Sequence, residues 1–382
     1  MSKLFLRYFD YASTTPVDPD VLQAMEPFFS WNFGNPVSPH SIGRQANKAL
    51  EESRETAAQF IGAKPEEIIF TSSATESNNQ AVIGSARAQR EKGNHVILSS
   101  IEHHSVERPA EFLRQEGFQV TVAGVNSDGV IDPEDIRKNI TPETVLIAVL
   151  QASNEIGTIQ PIAEIGKITR EHKISFLVDA VQAVGHIPVQ VNDLNADLLS
   201  MSAHKFYGPK GIGALYVRKG TKVSSLLLGG DQERGRRAST VNVAGAVGMA
   251  KALQICKDKM KSEMDAQTKW RDSLLTEIPK KIDGVRINGH RTRRLPNNAH
   301  FSFEKVEGEA LLMSLDTAGI AASMGSACTA GSMEPSHVLR AIGLSDEPAF
   351  GSLRLSSGRW TTQEDIDCVL EELPKIIKRL RI

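Results

Sequence analysis

Between about residues 60 and 220, short apolar runs rich in β-branched residues alternate with longer stretches of helical pattern. The runs predict strands over 67–71, 95–98, 145–149, 174–179 and 213–217. Helices are predicted between them, for example over 75–92 and 162–172. Such alternation specifies an α/β fold, a mostly parallel sheet with helices on both faces. Ligands on sheets of this kind sit beyond the carboxyl ends of the strands.

After residue 243 the pattern changes. Residues 243–282 read as one long, charged helix, with Lys257-Asp258-Lys259-Met260-Lys261 as a solvated face. Beyond it, strands over 298–303 and 352–356 mix with helices over 308–318 and 362–380. This predicts a large domain over 16–255 and a smaller α+β domain formed by 1–15 and 256–382. At 382 residues two domains are expected on length alone.

Composition narrows the function. The chain is 40% hydrophobic and 24% charged, with a formal net charge of −2. No global charge attracts nucleic acid or an anionic membrane. Every apolar run is broken within about ten residues, short of the ~20 a membrane helix needs. The opening Met1-Ser2-Lys3-Leu4-Phe5-Leu6-Arg7 lacks a secretory pattern, so a cytoplasmic location is expected. Three dispersed cysteines, Cys256, Cys328 and Cys368, make no disulfide framework. No closely spaced Cys/His set exists, and Glu102-His103-His104 lacks helical zinc spacing, so no metal site is expected.

The chemistry concentrates around Ser202-Ala203-His204-Lys205-Phe206-Tyr207-Gly208-Pro209, where one lysine follows an apolar run and precedes a Gly/Pro turn. Asp179 ends another apolar run, where a carboxylate is costly without a cationic partner. A lysine able to form a Schiff base and a carboxylate able to hold a pyridinium nitrogen are what a pyridoxal-phosphate site needs. Gln182, three residues after Asp179, can bond the phenolic oxygen, and Ser202 and His204 can donate to phosphate. Thr71-Ser72-Ser73-Ala74-Thr75-Glu76 places small hydroxyl residues at a strand-to-helix turn, suited to an anion. Cys328 differs from the other two cysteines, which read as small hydrophobes. It lies among Ser, Ala, Gly and Thr, with little apolar surface to bury.

Together these segments make the chain resemble the fold-type I, class V pyridoxal-phosphate enzymes, and among them the NifS/IscS-type cysteine desulfurases. The resemblance rests on Asp10-Tyr11-Ala12-Ser13-Thr14-Thr15-Pro16, Gly34-Asn35-Pro36, Ala74-Thr75-Glu76-Ser77-Asn78-Asn79, Glu102-His103, Asn154-Glu155-Ile156-Gly157, the lysine and cysteine segments, and Arg354-Leu355-Ser356-Ser357-Gly358-Arg359. It spans nearly the whole chain, and it implies a large domain with a seven-stranded sheet.

The resemblance also implies roles. Lys205 would tether the coenzyme, Asp179 would pair with the pyridine nitrogen and His103 would stack on the ring. Ala74, Thr75, Ser202 and His204 would hold the phosphate. Gln182 would bond the phenolic oxygen, with Asn154 beside the coenzyme. Thr240 would reach the partner subunit's phosphate in a homodimer with shared sites. Arg354, with Asn154 and Asn35, would bind the substrate carboxylate. Cys328 would take sulfur from L-cysteine as a persulfide, leaving L-alanine, and pass it to an iron–sulfur scaffold or a tRNA thiolase. The long small-residue run around Cys328 matches the NifS/IscS subgroup. The chain ends at Ile382 without the longer tail of IscS-like members, so docking in their manner is less expected. Another class V activity, such as an aminotransferase or selenocysteine lyase, or a non-catalytic sulfur carrier, stands as the alternative reading.

Overall fold

The computed structural model describes residues 7–325 and 335–381. Twelve strands follow in chain order among the described residues. The first five are β1 (Arg7–Tyr8), β2 (Ile68–Thr71), β3 (His95–Ser99), β4 (Gln119–Ala123) and β5 (Thr144–Leu150). Next come β6 (Ser175–Asp179), β7 (Leu198–Ser202), β8 (Gly213–Val217) and β9 (Val285–Ile287). The last are β10 (Asn298–Phe303), β11 (Ile320–Ala321) and β12 (Ser352–Ser356).

The large sheet has seven strands in the order β2-β8-β7-β6-β5-β3-β4. It is parallel except at β8, which runs antiparallel to both β2 and β7. The expected α/β class and mostly parallel sheet are therefore correct. Five of the seven strands were legible as apolar runs. The other two were not, for different reasons. β4 is an edge strand whose Gln119 and Val122 face solvent. β7 is interrupted by Ser200, which a buried sheet still accepts.

The central strands β5 and β6 carry apolar runs because both faces are covered. On β6, Phe176 and Val178 join one core while Leu177 joins the other. On β5, Ile147 and Val149 point one way and Leu146 and Ala148 the other. This is the two-residue alternation of a strand, with a hydrophobic layer on each side.

The helix predicted over 75–92 is divided. Ala74–Asn79 and Ser85–Ala88 are α-helical, and Gln80–Gly84 between them is a π-helical turn. The long helix Val243–Lys281 serves two cores. Met249, Leu253 and Cys256 enter the core beneath the large sheet. Leu274, Leu275 and Ile278 pack with Phe301, Phe303, Leu353 and Leu355 of the small antiparallel sheet β12-β10-β9. The N-terminal segment crosses between the cores, with Phe9 in the small one and Tyr11 in the large one. No helix among the described residues is long and apolar enough to cross a membrane.

Candidate active site

Five strands of the large sheet end at one cavity of about 300 Å³, at the lower end of the roughly 300–1,000 Å³ typical of small-molecule sites. β6 delivers Asp179, and β7 delivers Ser202 and the turn carrying His204 and Lys205. β2 leads into Ser73-Ala74-Thr75, β3 into Glu102 and His103, and β5 into Asn154 and Glu155. The parallel topology makes these ends neighbours although their residues are spread from Ser73 to Lys205 along the chain.

Asp179 is buried, and its carboxylate is held at both oxygens. Oδ2 accepts from Asn78 Nδ2 at 2.8 Å, and Oδ1 accepts from the Val181 amide at 3.0 Å. The same Asn78 amide also donates to Ser105 Oγ at 2.9 Å. Ser105 Oγ lies 2.8 Å from His103 Nδ1, and the Ser105 amide donates to that nitrogen at 3.1 Å. His103 is thus the cap of helix His104–Gln115, with Nδ1 used as an acceptor. Asp179 and His103 are linked through two small polar residues, Asn78 and Ser105.

The N-terminal segment closes the other side. Lys205 Nζ donates to the carbonyls of Ala12 and Ser13, each at 2.7 Å. Gln182 Nε2 donates to the same Ala12 carbonyl at 2.9 Å. His204 Nδ1 lies 3.1 Å from Thr14 Oγ1, and the Thr15 amide donates to His204 O at 2.9 Å. Below, His186 Nε2 is 2.9 Å from the Lys205 carbonyl, supporting the turn. Gly213 faces the turn after β2. A Cβ there would sit 2.7 Å from Ser73 C and 3.0 Å from Ala74 N, so only glycine permits this approach.

Burial sets the electrostatics. Desolvation lowers the pKa of His103, and it lowers that of His204 to about 4, so both imidazoles are neutral at pH 7. The Glu102 carboxyl is wholly buried and pushed up to about 8 by desolvation. Oε1 of Glu102 accepts from Ser99 Oγ at 2.5 Å and from the Leu150 amide at 2.9 Å. Its Oε2 has no hydrogen-bond partner among the described residues.

Arg354 lies in the cavity wall at 1% exposure, with its guanidinium extensively engaged. One terminal nitrogen donates to the carbonyls of Asn154 and Gly325, and the other to Asp10 Oδ1 and Ser13 Oγ, all at 2.7 Å. Its Nε is buried without a partner among the described residues. The contact to Asn154 is through its backbone carbonyl, which leaves its side chain uninvolved in holding Arg354.

Two of the expected site residues do not line this chain's cavity, and one of them, Thr240, was expected at a partner subunit's phosphate. Asn35 is exposed and lines a separate groove of about 150 Å³ together with Arg54, Glu233 and Val241. Thr240, beside Val241, is also exposed and outside the wall of this chain's cavity. Cys328 lies outside the described residues. Of the other thiols, Cys256 is buried and pushed up to about 12 by desolvation, and Cys368 is half-buried against the small core.

Sequence reasoning assigned no separate role to Asn78, Ser105, Glu102, Ser13 or Asp10. Asp10, Ser13, Asn78 and Glu102 lie within the motifs that carried the resemblance, and Ser105 lies two residues after His103, which was the available signal.

Comparison with known proteins settles the family. The model for "Aminotransferase class-V" matches residues 7–369. The chain belongs to the class V aminotransferase family. A curated relative, "Cysteine desulfurase IscS" of Dictyoglomus turgidum, is 52% identical over 374 residues, covering 98% of this chain and 95% of its own. Another "Cysteine desulfurase IscS", from Methanosarcina thermophila, is 50% identical over 98% of this chain and 92% of its own. Among solved structures, "NIFS-LIKE PROTEIN" superposes with a TM-score of 0.92 at 36% identity, covering 98% of this chain and 100% of its own. "SspA in complex with cysteine" has a TM-score of 0.83 at 37% identity, over 93% of this chain and 100% of its own. This class V enzyme is a pyridoxal-phosphate-dependent cysteine desulfurase, as its motifs implied. The cavity suits that coenzyme: a buried carboxylate fixed at both oxygens, a lysine ammonium, a neutral imidazole and a small-residue turn line one space.

Proposed function

We propose that the enzyme releases sulfur from L-cysteine in this cavity, with Lys205, His103 and Cys328 as its catalytic residues. The observation that carries the reading is the convergence of Asp179, His103 and Lys205 on one cavity, in a chain whose family uses pyridoxal phosphate. Pyridoxal phosphate, when bound, supplies the aldehyde that takes up the amino group and the ring that spreads negative charge from Cα.

The chain's own residues supply the rest. Lys205 Nζ would hold the coenzyme, and its amine would take the Cα proton of the bound amino acid. Asp179 holds the pyridine nitrogen, with Asn78 keeping its carboxylate oriented. His103 stacks on the ring, and its neutral state leaves it free to accept a proton. Ala74, Thr75, Ser202 and His204 receive the phosphate, and Gln182 the phenolic oxygen. Arg354 Nε and Asn154 bind the substrate carboxylate, whereas Asn35, on a separate groove of this chain, would have to come from a second subunit to join them. The Cys328 thiolate attacks the substrate sulfur. An S–S bond forms as the Cβ–S bond breaks, Cβ is protonated, Lys205 returns a proton to Cα, and L-alanine departs.

The enzyme acts as a homodimer. Phe29, Trp31, Phe33 and Leu228 are exposed at 65, 82, 66 and 88% in the single chain, apolar surface that a second subunit would cover. Thr240 is exposed on the loop before the long helix, which fits a role toward a neighbouring subunit's phosphate. The persulfide goes to an iron–sulfur scaffold or a tRNA thiolase in the cytoplasm.

Mass spectrometry after incubation with L-cysteine tests the reading. Cys328 should become one sulfur atom heavier. Cys328→Ala should keep the yellow coenzyme and lose sulfur release, and Lys205→Ala should lose the internal coenzyme absorbance. Sulfur release undiminished in Cys328→Ala would reject the reading.

A further inference from the structure

His104, Glu107 and His337 converge at the rim of the cavity. They come from the first turns of two helices, His104–Gln115 and His337–Ala341. One donor atom from each lies within 4.8 Å of the other two. His104 Nδ1 is 2.7 Å from Glu107 Oε2, and the rings of His104 and His337 are 5.0 Å apart.

We propose that these three residues bind one divalent transition-metal ion of the zinc or iron(II) class. Two imidazoles and a carboxylate are the donor set such ions prefer over calcium or magnesium. The His104–Glu107 pair is one helical turn apart, so both donors already face the same point. Tetrahedral donors about 2.0–2.2 Å from an ion stand roughly 3.3 Å from one another, within rotamer reach of the present spacing.

A second, independent feature supports it. His337 Nε2 donates to the Glu102 carbonyl at 2.9 Å, which fixes the ring and leaves the lone pair on Nδ1. Metal-binding histidines characteristically carry such an outer partner. Coordination through His104 Nδ1 would place that ring's hydrogen on Nε2. Both histidines are half-buried and Glu107 is exposed, so an ion can enter from solvent and retain water in its remaining position. The sequence alone could not show this, because His337 lies 230 positions from Glu107.

Cobalt(II) is the probe, added to untagged, coenzyme-loaded Cys328→Ser enzyme so that the Cys328 thiol does not compete. The expected result is one cobalt per chain, weak visible d–d bands without thiolate charge transfer, and displacement by zinc. Glu107→Gln and His337→Ala should each weaken binding by at least about tenfold, the cost of losing even an outer partner. Glu107 is exposed and not part of the cavity wall, so its variant should keep the coenzyme absorbance and melting temperature of the parent. Failure to bind cobalt stoichiometrically, or equal binding by Glu107→Gln and the parent, would overturn the proposal.

Discussion

Ser336 donates its hydroxyl to Glu155 Oε2 at 2.5 Å, joining the start of helix His337–Ala341 to the turn after β5. The other flank of the cysteine-bearing segment meets the same carboxyl: a Cβ on Gly325 would lie 3.3 Å from Glu155 Oε2 and 3.0 Å from His300 Nε2. Gly325 also has φ +111°, which a larger residue would adopt only with strain. Gly325 and Ser336 therefore return to one buried anchor, although Cys328 lies between them. Burial also raises the Glu155 pKa.

Breaking that anchor should disturb sulfur transfer more than coenzyme binding. Glu155→Ala is expected to destabilise the fold by about 1–3 kcal/mol, the cost of leaving a buried polar partner unsatisfied. Turnover should fall while the coenzyme spectrum is retained. Thermal melting, absorbance and persulfide formation, measured on the same sample, check this.

Asn78 has no partner role in the reaction, yet it holds Asp179 and Ser105 together. Asn78→Ala removes a hydrogen bond to a charged group, worth about 1.5–3 kcal/mol. Coenzyme retention during dialysis should drop about tenfold or more, and Asp179→Asn should drop it further. Equal retention in Asn78→Ala and the parent would contradict the arrangement.

Glu102 gives the pH dependence a clear sign. Its carboxyl is raised from 4.5 to about 8 on folding, so the folded state binds the proton more tightly. Its contribution to stability is complete below about pH 4.5 and declines as pH rises to about 8. Glu102→Gln imitates the protonated group. It should remove this decline, and melting temperatures of variant and parent should diverge toward alkaline pH.

Buried histidines act in the opposite direction. Desolvation lowers His186 and His204 to about 4 and His300 to about 3, from 6.5. Stability from their neutral forms is present above pH 6.5 and is lost as pH falls toward 4 and below. His300 neighbours Arg354 across β10 and β12, which adds to the cost of charging it. His300→Gln should flatten the acid side of the stability profile in denaturant titrations, provided the variant folds.

The fold's legibility follows from burial. Strands β5, β6 and β8 are apolar along their length because helices cover both faces, so their positions are plain in the chain. β4 is half-exposed at the edge and carries no such run. Lys205, Asp179 and His103 were equally legible, because a charged or polar residue at the end of an apolar run has a cost that function must offset. Asn78 and Ser105 were not, since small polar residues at a helix start are common for capping alone.

The amino-acid order by itself determined the sheet class, the lysine and carboxylate chemistry and the family, because each depends on local pattern or on short motifs. Only the tertiary structure decided what those residues touch. It turned the Arg354 guanidinium toward Asp10 and Ser13, placed Asn35 and Thr240 outside this chain's cavity, and brought His337 to His104. Such contacts join positions up to 344 apart, and their geometry is set by how strands and helices pack, which no local pattern records.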